Sequence, residues 1–118
     1  MDNAFLNDTS DTRYLLEEKF EPTLNKMYSK LLKIIKILEE QKEQEQDEFL
    51  VHTFEGLCTS AKELKEEVDA VLGAIYEVIP LYVGDRVVIR PLIELEEKYF
   101  RFIKELYIKF PDWCLMLE

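Results

Sequence analysis

The middle of the chain carries its longest regular hydrophobic pattern. From Leu50 to Val78, apolar residues recur at alternating steps of four and three, which is typical of one side of a helix packed against other helices. The pattern predicts a helix over residues 47–79. Its apolar stripe consists of Leu50, Phe54, Leu57, Ala61, Leu64, Val68, Val71, Ile75 and Val78.

An earlier stripe predicts a first long helix over residues 23–44. Its members are Leu24, Tyr28, Leu31, Ile35 and Leu38, widened by Met27 and Ile34. Continued at the same spacing, this stripe reaches Lys42 and Glu45, so it does not join the stripe that starts at Leu50. We therefore predict a turn near residues 41–48, although that stretch contains neither Gly nor Pro.

Prolines mark the remaining boundaries. Pro22 suits the first turn of the first long helix, where its missing N–H costs no hydrogen bond, and a short helix over residues 12–20 is expected before it. Pro80 ends the second long helix, and Pro91 opens a third over residues 91–110. The side of the third helix that is predicted to face the core carries Leu92, Leu95, Tyr99, Phe102, Leu106 and Phe110.

Two segments allow more than one structure. Residues 81–89 place Gly84-Asp85 between two triplets with β propensity, which fits either a two-residue hairpin or an ordered loop. Residues 111–118 form an apolar C-terminal tail that includes Trp113. This tail is expected to dock either on the end of the bundle or on a partner. A flexible tail over residues 1–10 is expected at the other end.

Together these elements predict an all-α protein with a single helical-bundle domain over residues 11–110. The expected architecture is an up-down bundle of three long antiparallel helices plus a short N-terminal helix. The second helix is predicted to be the longest. Its excess stripe would then be covered by the short helix, by the 81–89 segment or by a second subunit.

The amino-acid composition limits the partners and the chemistry expected of the chain. The chain has 118 residues with 25 acidic and 15 basic side chains, a net charge of −10, so we expect no nucleic-acid partner. A single histidine rules out a multi-histidine metal site, and no glycine-rich phosphate loop occurs. We therefore expect no metal, no cofactor and no enzymatic activity.

The sequence also predicts where in the cell the protein is found. Two cysteines do not form a disulfide framework, and no apolar run is long enough to cross a bilayer. Met1-Asp2-Asn3 lacks the basic and apolar regions of a signal peptide. We expect an intracellular protein with free thiols, in the simplest case cytoplasmic.

Lysines gather on the outer side of the first long helix. Lys26, Lys30, Lys33 and Lys36 fall opposite the apolar stripe, and residues 23–38 contain no acid. Such a face either binds an acidic partner or an anionic lipid headgroup, or is balanced by acids on neighbouring helices, which we prefer. Lys26, Lys30 and Lys33 are the candidate binding residues on this face, and Trp113 is another on the tail.

One short motif suggests a different chemistry. Val51-His52-Thr53-Phe54-Glu55-Gly56 resembles the motif of histidine-containing phosphotransfer (HPt) domains, with Phe54 and Gly56 matching by position. The resemblance implies a helical bundle whose exposed His52 relays a phosphoryl group between receiver-domain aspartates. Glu55 departs from the pattern, because that family has a lysine there. The alternative is an exposed helical histidine without catalytic chemistry.

The corner between the second and third helices has its own resemblance. Residues 75–80, followed by Arg86 and Arg90, are similar to the corresponding corner of BAG domains, which are three-helix co-chaperone modules. The resemblance implies that a basic pair at the start of the third helix holds the nucleotide-binding domain of a heat-shock chaperone. Pro91 stands at the second position of that pair, so only Arg90 carries over.

These observations favour a non-enzymatic helical-bundle module for protein–protein interaction, acting as an adaptor, scaffold or escort. Its partner would be another protein, with a second copy of the chain as one option. Phosphotransfer through His52 is the first alternative, and a BAG-like co-chaperone is the second.

Overall fold

A computed structural model describes residues 16–78 and 86–117, with side chains described for residues 17–75 and 92–117. A single π-helical turn, Leu16–Phe20, leads directly into helix α1, Glu21–Gln44. Helix α2 is Glu48–Val78, helix α3 is Arg86–Lys109, and the short helix α4 is Trp113–Leu117. These two ranges contain no strand, which confirms the prediction of an all-α protein for the part of the chain described.

The break between α1 and α2 is made by acidic side chains rather than by Gly or Pro. Glu45 ends α1 in an extended conformation, and its Oε1 accepts hydrogen bonds from the N–H groups of Gln46 and Asp47, each at 3.1 Å. Asp47 Oδ1 then accepts the N–H of Phe49 at 2.9 Å. This is the geometry of an N-cap, which satisfies a backbone donor at the start of α2. The turn predicted near residues 41–48 is confirmed.

The apolar stripes of α1, α2 and α3 meet in one core. Leu31, Leu38, Ala61, Val68 and Leu106 are completely buried there. The predicted members that remain half-buried are Tyr28, Leu50, Val71 and Phe110. Along the described part of α2, the stripe is buried within a single chain except at Leu50 and Val71, which are half-buried.

Helix α3 begins at Arg86 rather than at Pro91, so residues 86–89 are helical and form neither the hairpin nor the loop considered for residues 81–89. The triplet Val87-Val88-Ile89 lies in the first turns of α3. β-Branched residues favour strands only where a neighbouring strand is available to pack on, and the described residues offer none. Residues 79–85, the rest of the segment, lie outside the described residues.

The C-terminal tail turns back on the chain itself. The Trp113 N–H donates to the Phe110 carbonyl at 3.0 Å, which reverses the chain around Pro111. Trp113 and Leu117 are buried on one side of α4, whereas Leu115 and Met116 are exposed on the other. The chain's own helices therefore cover the apolar side of α4. The predicted N-terminal tail, residues 1–10, lies outside the described residues.

Candidate functional site

His52 lies on the exposed side of α2, in its second turn. No described residue hydrogen-bonds its imidazole. The hydroxyl of the next residue, Thr53, donates to the Phe49 carbonyl within the same helix, at 3.0 Å. Gly56, one turn further on, faces open space: a Cβ placed there would meet no atom within 4 Å. The imidazole is therefore accessible to another molecule.

The charges around His52 are less favourable to phosphate. Glu48 lies one turn before it and Glu55 just under one turn after it, and both side chains are exposed. Residues three and four apart are neighbours on a helix surface. A phosphoryl group on His52 would thus stand beside two carboxylates, and Glu55 occupies the position where the HPt resemblance requires a lysine.

The structure brings the three candidate lysines of α1 into one shallow groove. Lys26, Lys30 and Lys33 line it together with Asn25, Ser29 and Leu117, and its volume is about 290 Å³. We call this the lysine groove. Lys30 is half-buried, and its Nζ lies 5.5 Å from the centroid of the Tyr107 ring, a cation–π contact that ties α1 to α3. Lys26 and Lys33 are exposed.

Two lysines of this groove, Lys26 and Lys33, form no ion pair with acids on the neighbouring helices that the structure describes. The ion pairs between described residues join Lys62 to Glu39, Lys98 to Glu67 and Lys109 to Glu105, with N–O distances of 3.2, 3.1 and 3.3 Å. Within the part of the chain that the structure describes, no carboxylate lies in ion-pair range of Lys26, Lys33 or Lys36. For these three lysines, balance by neighbouring acids is therefore not realised as direct contacts among the described residues.

Helix α4 carries an apolar ledge, Leu115 and Met116, on the side opposite the one that supplies Leu117 to the lysine groove. Leu117 forms part of the groove wall, and Leu115 and Met116 precede it on the same short helix. Leu115 is 86% exposed and Met116 57% exposed. Sequence reasoning identified the lysines but missed the ledge, because its position depends on α4 folding back onto α1. The apolar character of residues 113–117 was the available signal.

A larger groove lies between α2 and α3, with a volume of about 620 Å³. Leu64 and Phe102 are among its lining residues, and both are already buried in the core. Its charged residues on α2 are all acids, whereas α3 contributes Lys98, Arg101 and Glu105, and Lys98 Nζ donates to Glu67 Oε1 across it. Apart from Leu64, Ala70 and Phe102, the residues that line this groove are polar or charged.

The remaining candidate residues lie elsewhere. Trp113 is buried against the core rather than presented to a partner. The side chains of Arg86 and Arg90, the candidates from the BAG resemblance, lie outside the described residues. Among those described, no group of three or more His, Cys, Asp or Glu side chains is placed to hold a metal ion.

None of the described helices combines the length and the apolar character needed to cross a membrane. Comparison with known proteins found no matching family model, no matching curated protein and no matching solved structure. The lysine groove and the exposed His52 are the two candidate functional features among the described residues.

Proposed function

We propose that the protein is a non-enzymatic helical-bundle module that binds an acidic segment of another protein in the lysine groove. The observation that carries the proposal is the pair Lys26 and Lys33, exposed and without an ion-pair partner among the described residues. Such a positive site is unexpected in a chain of net charge −10. An adaptor, scaffold or escort would use it to select its partner.

The chemistry of the groove indicates the chemistry of the partner. Exposed cations attract and orient an acidic segment, and they contribute more to association rate and specificity than to affinity. Affinity requires buried apolar contact as well, which Leu115 and Met116 offer on the exposed side of α4. We therefore expect a partner segment that carries acids and large apolar side chains together, as an amphipathic acidic helix does.

The proposal includes an up-down arrangement of three long antiparallel helices. Two contacts support it for α2 and α3. Phe54, early in α2, stacks on Phe110, just after α3, at a centroid distance of 5.3 Å, whereas Glu67, later in α2, pairs with Lys98, earlier in α3. The turn of residues 45–47 supports a reversal between α1 and α2.

Peptide binding tests the function. The probe is a synthetic helical peptide of Glu and Leu, titrated into isotope-labelled protein and followed by NMR. We expect chemical-shift changes confined to α1 and α4, with an affinity that falls as salt is added because exposed charges are screened. The variant Lys26→Glu/Lys33→Glu should abolish the changes. The variant Lys36→Glu/Lys42→Glu makes the same change in net charge outside the groove and should preserve them.

Three outcomes would overturn the proposal. If shifts appear elsewhere, or if both double variants lose binding equally, the groove is not the site. Vesicles containing phosphatidylserine provide the second comparison. Binding to these vesicles, with no binding to the peptide, would instead identify an anionic lipid surface as the target.

Phosphotransfer through His52 is the second candidate function. It is favoured by the exposed imidazole and by the open space at Gly56, which would let a receiver domain approach closely. An unprotonated imidazole nitrogen would attack the phosphoryl group of a receiver aspartyl phosphate, and the aspartate would leave. Glu48 and Glu55 oppose this step by repelling the phosphoryl group, so we place protein binding first.

A further inference from the structure

The outer side of α3 carries a row of apolar residues that the core does not use. Ile93, Phe100 and Ile108 are 49%, 57% and 68% exposed. They lie seven and eight residues apart, so they follow one side of the helix. Glu97 and Lys104, both exposed, fall between them on that side. We call these five residues the α3 outer row.

The order of residues in the α3 outer row is symmetric about its midpoint. A two-fold rotation about an axis that passes between Phe100 and Arg101 exchanges the position of Ile93 with that of Ile108. The same rotation exchanges the position of Glu97 with that of Lys104. The two isoleucines thus exchange with each other and the acid exchanges with the base, whereas Phe100 exchanges with Arg101, which lies outside the row. A row with this property complements a second copy of itself that runs in the opposite direction.

From this symmetry we infer that α3 pairs with α3 of a second copy of the chain, antiparallel, in a two-fold symmetric dimer. Each Ile93 then packs on Ile108 of the second copy. Each Glu97 faces Lys104 of the second copy. In a two-fold interface every such contact occurs twice, so a short row provides two apolar contacts and two ion pairs.

The centre of the interface has a third pair of contacts. In the same register, Phe100 of each copy lies opposite Arg101 of the other. Arg101 is exposed and forms no ion pair with the described residues, and a guanidinium stacks well on an aromatic face. The Phe100 side chain is 57% exposed, and its ring contacts the buried Tyr99 ring edge-on at a centroid distance of 5.3 Å.

The charges also exclude the parallel alternative. With two parallel α3 helices in register, Glu97 would face Glu97 and Lys104 would face Lys104, and like charges in contact are unfavourable. This inference goes beyond the proposed function, because the α3 outer row shares no residue with the lysine groove. A failure of either leaves the other standing.

Sedimentation equilibrium with exchanged charges tests the dimer. We expect the wild type to approach twice its chain mass of 14.1 kDa at concentrations of tens of micromolar or above. Glu97→Lys gives each copy two cations in the row, and Lys104→Glu gives each copy two acids. Each single variant should therefore dimerise at least about tenfold more weakly than the wild type.

The two single variants also provide a rescue. When they are mixed in equal amounts, each cation of one faces an acid of the other, and a heterodimer should form. The double variant Glu97→Lys/Lys104→Glu should dimerise by itself, because it restores opposite charges. Circular dichroism checks that every variant remains helical. Recovery on mixing cannot come from a misfolded chain, so it separates a surface effect from a folding effect.

An apolar control completes the design. Phe100→Ser should abolish the dimer, whereas Phe49→Ser, at a 76% exposed phenylalanine in the first turn of α2, should leave it intact. A wild type that remains monomeric at several hundred micromolar overturns the inference. So does a dimer that is unaffected by Glu97→Lys and by Phe100→Ser, or single variants that remain monomeric when mixed.

Discussion

Phe54 in α2 and Trp113 in α4 stack with their rings almost parallel, at a centroid distance of 6.2 Å and an interplanar angle of 7°. Phe110 contacts both rings, at 5.3 Å from Phe54 and 4.8 Å from Trp113. Three aromatic rings, from α2, from the end of α3 and from α4, therefore form one cluster at the edge of the core. The cluster fixes α4, and with it Leu117 in the wall of the lysine groove.

Replacing Trp113 should release α4 from the core. Because Trp113 is almost fully buried, Trp113→Ala should lower the free energy of unfolding by about 3 kcal/mol. Urea denaturation followed by circular dichroism measures the change. Leu115→Ala, at an exposed position of the same helix, should change it by less than about 0.5 kcal/mol. Equal losses in the two variants would contradict the packing of α4 described above.

The core and the site differ in how far the sequence predicts them. The stripes of α1 and α2 were predictable because burial on one side of a helix imposes a period that a single sequence displays. The break at residues 45–47 was predictable from the mismatch of the stripes, although its cause, the cap made by Asp47, was not identified. The predicted start of α3, residue 91, was wrong because the β propensity of Val87-Val88-Ile89 depends on its surroundings.

The candidate site depends on contacts between distant segments. The sequence placed Lys26, Lys30 and Lys33 on one side of α1. It could not show that Lys30 reaches the ring of Tyr107, or that Leu117 returns to the lysine groove. Those contacts depend on how α3 and α4 pack on α1, and no local periodicity encodes that arrangement.

Two neighbouring positions of α2 test the orientation of this helix. Leu64 lies in the core and Glu66 is exposed. Leu64→Ala should lower the free energy of unfolding by about 2–5 kcal/mol, as expected when a buried leucine leaves a cavity. Glu66→Ala should change it by less than about 0.5 kcal/mol. Chemical denaturation measures both, and similar losses would mean that α2 is rotated from the position described.

The ion pair between α1 and α2 should give a pH-dependent contribution to stability. Lys62 Nζ lies 3.2 Å from Glu39 Oε2. The hydrogen bond to Glu39 raises the pKa of Lys62 above its ordinary value of 10.5, and the charges of Cys58 and Glu39 act in the same direction. Folding therefore favours the protonated amine. The stabilisation is fully present below the pKa of the unfolded chain and is lost as the pH rises through the folded one.

Thermal melts at a series of pH values check this expectation. Lys62→Gln should melt slightly below the wild type at neutral pH, because an exposed pair contributes little. The difference should disappear as the pH passes the raised pKa of Lys62. Lys36→Gln, at an exposed lysine without an ion pair among the described residues, should show no such convergence. A difference for Lys62→Gln that is constant up to high pH would show that the lysine acts through packing alone.

His52 provides the sharpest test between the two candidate functions. The imidazole is exposed and Gly56 leaves space beside it, so a receiver domain meets no steric obstacle there. Glu48 and Glu55 surround it with negative charge, and salt screens that charge only partly at such short range. Since access is open and the charge is unfavourable, any failure to accept phosphate should be relieved by reversing one charge.

Three proteins incubated with a phosphorylated receiver domain separate the possibilities: the wild type, Glu55→Lys and His52→Gln. We expect no acid-labile phosphate on the wild type, because both carboxylates repel the incoming phosphoryl group. Glu55→Lys replaces one of them with a cation that can stabilise that group. Label that appears only in this variant would show that the bundle permits phosphotransfer to His52 and that the negative charge of Glu55 prevents it. Label on the wild type that disappears in His52→Gln would make phosphotransfer the function and contradict the order we propose. Label that persists in His52→Gln would lie on another residue and would count for neither function, so peptide mapping of the labelled position belongs in the same experiment.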